Sequence, residues 1–135
     1  MGITGSINHF GMAVKSIDDF LEKNEVLYGS FERGPIIVNE TQSVREMFIT
    51  DGRSIIELLE PLGKKSPLDA FLEKNPAGGL IHIALDVESL DSAIAEVEAQ
   101  GGRLIVGPVP DIAFNYRRIA FVFLNGQITE LIEQA

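Results

Sequence analysis

The chain has 135 residues, 45% of them hydrophobic and 23% charged, enough for one compact domain (1–135) and little more. Without cysteine it can have no disulfide framework, thiolate metal site or cysteine nucleophile. Eleven Lys and Arg against twenty Asp and Glu give a net charge of −9, so nucleic acid is not an expected partner.

No apolar run approaches the roughly 18 residues needed to cross a bilayer. The opening MGITGSINHF has neither the basic nor the apolar segment of a secretory leader. The expectation is a cytoplasmic protein with no membrane partner.

In chain order, Ile7 to Val14 is short and β-prone, and Ser16 is placed to cap a helix over IDDFLEKNEVL, whose first turn is acidic. Gly29 reads as the glycine that closes this helix, and the Gly34-Pro35 break separates the next strand region from it. Strands over Arg45 to Thr50 and Ser54 to Glu60 follow, joined by a tight turn at Asp51-Gly52. The stretch 63–78 reads as a linker with one short helix that starts at Ser66-Pro67 and ends before Pro76.

The second half predicts a strand from Leu80 to Val87, a Ser89 cap, a helix over LDSAIAEVEAQ and a strand from Arg103 to Val106. A hairpin from Arg118 to Leu124 and Gln127 to Glu133 then turns at Asn125-Gly126.

Both halves therefore spell βαβββ, and the match goes beyond pattern. At an offset of 73 residues, His9 falls on His82, Ser16 on Ser89, Gly34-Pro35 on Gly107-Pro108, Arg45 on Arg118 and Glu57-Leu58 on Glu130-Leu131. There are 14 identities over the 57 pairs of 6–62 with 79–135, where ordinary residue usage yields roughly one in seventeen. Shared patterning alone would match residue classes and would not hold an ungapped register across turns. The fold expected is α+β, a tandem βαβββ repeat of half-modules 6–62 and 79–135, paired in a curved mixed sheet around a metal site.

The repeat also selects chemistry. His9, Glu57, His82 and Glu130 each interrupt an apolar strand face, flanked two residues away by Ile7, Ile55, Leu80 and Ile128. A carboxylate buried without a partner costs several kcal/mol. Two carboxylates and two imidazoles at equivalent positions of a twofold repeat suit one divalent cation instead. Such N and O donors accept Zn, Co, Ni, Mn or Fe, and four of them leave open positions for substrate. Glu60 and Glu133 repeat too, but on the other strand face, where they read as solvated.

The duplicated βαβββ plan with His, Glu, His and Glu resembles the vicinal oxygen chelate superfamily, which contains glyoxalase I, extradiol dioxygenases and methylmalonyl-CoA epimerases. The stretches INHFGMAVKSID, IIELLEPLGKKSPLDAFLEKNPAGGLIHIALDV and ITELIE most resemble the epimerase branch. The resemblance implies the same four ligands, a homodimer, and a small-molecule substrate such as an acyl-CoA. It implies a metal-dependent epimerase that abstracts an α-proton and stabilises the resulting enolate.

Glu46, next to the Glu57 strand, is the candidate base, with Glu130 as a second base. Lys64, Lys65, Arg117 and Arg118 are candidates for the phosphates of a CoA-like substrate. A glyoxalase I-type lactoylglutathione lyase and a non-catalytic small-molecule binder of the same fold are the alternatives.

Overall fold

A computed structural model describes residue 3 and residues 5–134 of the chain. The elements run β1 (Gly5–Ala13), α1 (Ile17–Lys23), α2 (Glu25–Tyr28), β2 (Glu32–Arg33), β3 (Ile37–Asn39), β4 (Val44–Thr50) and β5 (Ile55–Pro61). They continue through α3 (Asp69–Lys74), β6 (Gly79–Val87), α4 (Leu90–Ala99), β7 (Arg103–Pro110), β8 (Arg118–Leu124) and β9 (Gln127–Glu133), with a 3-10 turn at Ile112–Phe114. The fold is α+β on a twice-used βαβββ plan. No helix among the described residues is long and apolar enough to cross a membrane.

Two compact units emerge: Phe10–Ile81, and the chain on either side of it, through His9 and from His82 onward. The division cuts β1 after His9 and β6 before His82, so it does not follow the repeat boundaries at 62 and 79.

In the Phe10–Ile81 unit the strand order is β2-β4-β5-β1, and β3 also pairs with β4. Strands β4 and β5 are antiparallel in unbroken register from Val44↔Pro61 to Thr50↔Ile55. β1 lies parallel to β5, with Gly11 opposite Glu57 and Ala13 opposite Leu59. Val14, Ile17 and Leu21 pack on Ile49 and Leu58. The neighbouring Leu59 points the other way and joins Ala13, Val44, Leu68 and Leu72, so the linker helix α3 covers part of the opposite face.

In the second unit the order is β1-β6-β9-β8-β7. β6 runs parallel to β9 with Ala84 opposite Glu130, and β8 runs antiparallel with Phe121 opposite the same glutamate. Helix α4 sets Leu90 and Ile94 against Val87, Val122 and Leu131 of the strands. These five residues are the repeat equivalents of Val14, Ile17, Leu21, Ile49 and Leu58. The same core is thus built twice, once in each unit.

Local chemistry accounts for the element ends. Ser16 Oγ accepts from Asp19 N and Ser89 Oγ from Ser92 N, each closing a helix N-terminus at 3.2 Å. Asn125 and Gly126 both have positive φ, 51° and 81°, which is the type I′ geometry of a two-residue hairpin.

Elsewhere the structure differs from the sequence reading. The helix expected over 17–27 breaks at Asn24, whose backbone N–H and side-chain amide both donate to the carbonyl of Phe20. Gly29 is right-handed (φ −63°), and it is a glycine because a Cβ there would meet the Glu25 carbonyl at 2.6 Å. The Asp51-Gly52 turn is a four-residue loop in which Asp51 Oδ1 accepts from Arg53 N and Ser54 N. The second strand of the first half is split into β2 and β3 by Gly34-Pro35. Its counterpart β7 stays continuous past Gly107-Pro108 to Pro110, with register shifts on either side of Val106.

Glu60 and Glu133 are not solvated. Glu60 accepts from Ile17 N at 2.8 Å and from Arg45 at 2.9 Å. Glu133 accepts from Leu90 N at 3.0 Å and from Arg118 at 2.9 and 3.1 Å. Each thus satisfies a first-turn N–H that has no partner within its helix. Ile7, Ile55, Leu80 and Ile128, expected in the core, are exposed. The apolar face of each strand begins one step deeper, at Leu59, Ala84 and Ile132 in three of the four.

Candidate metal centre

Three of the predicted ligands meet inside one unit. His9 comes from β1, His82 from β6 and Glu130 from β9, and all three are at least 94% buried, the histidines at 0% and 6% exposure and the glutamate at 2%. Alternation along the strands explains their direction. Leu131 faces α4, so Glu130 and Ile132 face the other way.

His9 Nε2 lies 3.3 Å from His82 Nε2 and 3.2 Å from Glu130 Oε1, and His82 Nε2 lies 3.3 Å from the same oxygen. Aromatic rings hold both imidazoles. Phe114 stacks on His9 with centroids 5.6 Å apart and planes at 14°, and Phe121 meets His82 edge-on at 5.3 Å.

His9 Nδ1 lies 2.8 Å from the side-chain carbonyl of Asn8. A carbonyl only accepts, so Nδ1 carries a proton, and in the neutral ring Nε2 then presents a lone pair to the cluster. Glu130 Oε1 receives no hydrogen bond among the described residues although it is buried. A buried carboxylate oxygen beside an imidazole lone pair is an electron-rich arrangement that a cation relieves.

The spacing also fits. Three atoms 3.2–3.3 Å apart are equidistant from a point about 1.9 Å from each, close to the ~2.0–2.2 Å at which divalent metals take imidazole and carboxylate. The donor set, two imidazoles and a carboxylate with no sulfur, suits such an ion.

Glu57 belongs to the Phe10–Ile81 unit. It is 2% exposed on β5, sharing a strand face with Leu59, just as Glu130 shares one with Ile132. Glu46, on β4 of the same unit, is buried rather than solvent-facing, and Asn39 donates to its Oε1 at 3.3 Å. Lys64 and Lys65 are exposed between β5 and α3.

The two arginines are engaged elsewhere. Arg117 faces Asp86 at 3.6 Å and lies over the Phe114 ring, while Arg118 grips Glu133 through two nitrogens and faces Asp91 at 3.6 Å. The Arg118 contact holds the Glu133 carboxyl below its usual range and raises the guanidinium in return. Asn8, Asp86, Phe114 and Phe121 escaped the sequence reading. Of these only Phe121 has an identical repeat partner, Phe48.

Comparison with known proteins places this geometry in context. Residues 8–121 match the model of the Glyoxalase/Bleomycin resistance protein/Dioxygenase superfamily. The chain is 32% identical to the mitochondrial methylmalonyl-CoA epimerase of Dictyostelium discoideum, over 96% of this chain and 79% of that one. It is 34% identical to an ethylmalonyl-CoA/methylmalonyl-CoA epimerase of Cereibacter sphaeroides, over 94% and 96%.

Among solved structures, a variant of Streptomyces coelicolor methylmalonyl-CoA epimerase in complex with 2-nitronate-propionyl-CoA superposes with a TM-score of 0.78. Its identity is 31%, covering 99% of both chains. The twice-built βαβββ fold, the buried histidine and glutamate cluster and these similarities together show that the chain belongs to the glyoxalase/bleomycin resistance/dioxygenase superfamily.

Proposed function

We propose that the chain is a divalent-metal-dependent epimerase of an acyl-CoA with an acidic α-proton, of the methylmalonyl-CoA type. The observation that carries the reading is the triangle of His9 Nε2, His82 Nε2 and Glu130 Oε1, in a chain 32–34% identical to such epimerases. Glu57 is proposed as the fourth ligand, on its repeat equivalence to Glu130 and its burial. A Zn, Co, Ni, Mn or Fe ion would act as a Lewis acid, lowering the energy of negative charge on a substrate oxygen.

The protein's own groups supply the rest. The imidazoles are held by strand pairing and by Phe114 and Phe121, so little reorganisation is needed as charge develops. Glu46 is proposed to take the α-proton. Breaking the C–H bond leaves the electron pair in an enolate, and a proton returned to the opposite face completes the inversion. Glu130 is the proposed second acid–base group, acting when its carboxylate swings out of the cluster. Lys64 and Lys65, exposed and not held by a carboxylate among the pairs described above, are the proposed contacts for CoA phosphates. A homodimer is proposed on the family resemblance.

The test is solvent deuterium exchange. Metal-supplemented protein in D₂O should place deuterium at C2 of methylmalonyl-CoA and interconvert its epimers. No exchange, together with turnover of the methylglyoxal–glutathione hemithioacetal, would replace this reading with a lyase of glyoxalase I type. Neither activity, with small molecules still bound, would leave a binding protein.

A further inference from the structure

His9 is held by a chain of groups that the repeat does not predict. The Asn8 side-chain nitrogen donates to both oxygens of Asp86, at 3.3 and 3.2 Å, and Asp86 in turn faces Arg117 at 3.6 Å. All of these residues lie in the same unit as His9. An amide presents hydrogens at one end and a carbonyl at the other. A carboxylate accepts only, so the amide nitrogen of Asn8 must face Asp86 and its oxygen must face His9 Nδ1, 2.8 Å away. With the amide reversed, its carbonyl would face the Asp86 carboxylate, acceptor against acceptor.

We propose that Asp86, acting through Asn8, is a positioning residue that locks His9 in the Nδ1–H tautomer and so aims the Nε2 lone pair into the cluster with His82 and Glu130. The proposal deepens the metal-centre reading and rests on it for its consequence, tighter metal binding. The tautomer itself is independent of any metal. Arg117 supports the chain from its far end, its guanidinium 3.6 Å from the half-buried Asp86 carboxylate. Phe114 ties the two ends together, since it stacks on His9, lies under the Arg117 guanidinium, and accepts from Arg117 Nε through its carbonyl at 3.3 Å.

The repeat equivalents of Asn8 and Asp86 are Ile81 and Ala13, so this support is built on one histidine only. A single locked imidazole gives the pseudo-symmetric site a defined lone-pair direction. Outer-sphere partners of this kind set the orientation and basicity of a ligating imidazole.

The experiment uses Asn8→Leu and Asp86→Asn in the whole chain. Long-range proton–nitrogen NMR of the metal-free protein reads the tautomer of His9, assigned against His82→Gln, since the chain has only two histidines. Zinc affinity is measured separately by competition with a chromogenic chelator. Wild type should show one Nδ1–H tautomer. Asn8→Leu should show both tautomers and bind zinc about 10–100-fold more weakly, with Asp86→Asn in between and the unfolding midpoints of the metal-free proteins close to wild type. If Asn8→Leu does not fold, Asp86→Asn carries the same readout.

His9 remaining purely Nδ1–H in the folded variants overturns the proposal whatever the zinc result. A tautomer shift in a protein whose wild type takes up no metal supports the positioning role and sinks the metal-centre reading instead.

Discussion

The carboxylate of Glu133 accepts a hydrogen bond from the backbone N–H of Leu90, 3.0 Å away, tying the last strand to the first turn of α4. The Arg118 guanidinium holds the other side of the same carboxylate. Glu60, Ile17 and Arg45 repeat the device 73 residues earlier.

Because Arg118, followed by the Leu90 N–H, lowers the folded-state value of Glu133 below its ordinary 4.5, the anion contributes stability above that ordinary value. The contribution is lost as the pH falls through the lowered folded value. Glu133→Gln should cost about 1 kcal/mol at neutral pH, and the difference from wild type should shrink on acidification below 4.5. Urea unfolding followed across pH 3–7 measures it, and a gap that widens in acid would contradict the assignment.

His82→Ala removes one corner of the three-atom cluster. Metal content after dialysis, by elemental analysis, should fall from near one divalent ion per chain to near zero, with affinity reduced by more than about 100-fold. His82 is 6% exposed and packed against Phe121, so circular dichroism of the variant must show the fold intact. Full occupancy in the variant would remove His82 from the ligand set.

Glu46→Gln keeps the size of the side chain and its contact with Asn39 while removing the basic oxygen. The rate of C2 deuterium exchange should fall about 10²–10⁴-fold, with metal content unchanged. An exchange rate equal to wild type would transfer the base role to another carboxylate.

Gly102 sits where α4 turns into β7. A Cβ there would meet Val97 Cγ1 at 2.5 Å, the Phe123 carbonyl at 2.8 Å and Leu124 Cδ1 at 3.1 Å. Gly102→Ala should therefore destabilise the protein by about 1–3 kcal/mol through overpacking, read as a lowered denaturation midpoint. An unchanged midpoint would mean that the helix end shifts freely.

The sequence carried the repeat, and with it the element order, the Ser16 and Ser89 caps, the second hairpin to the residue, and the placing of His9, Glu57, His82 and Glu130 on buried strand faces. These were legible because duplication writes the same requirement twice in one register, and because caps and type I′ turns depend on one or two adjacent residues. The break at Asn24 and the splitting of β2 from β3 were not, since each is a local competition settled by which carbonyl or strand lies within reach.

Only the tertiary structure decided that Glu60 and Glu133 cap helices rather than face water. It alone brought Asn8 and Asp86, 78 residues apart, into contact behind His9. A hydrogen bond needs its partners within about 3.5 Å and correctly turned. Periodicity says which face a side chain occupies, and pairing across the sheet says whom it meets there.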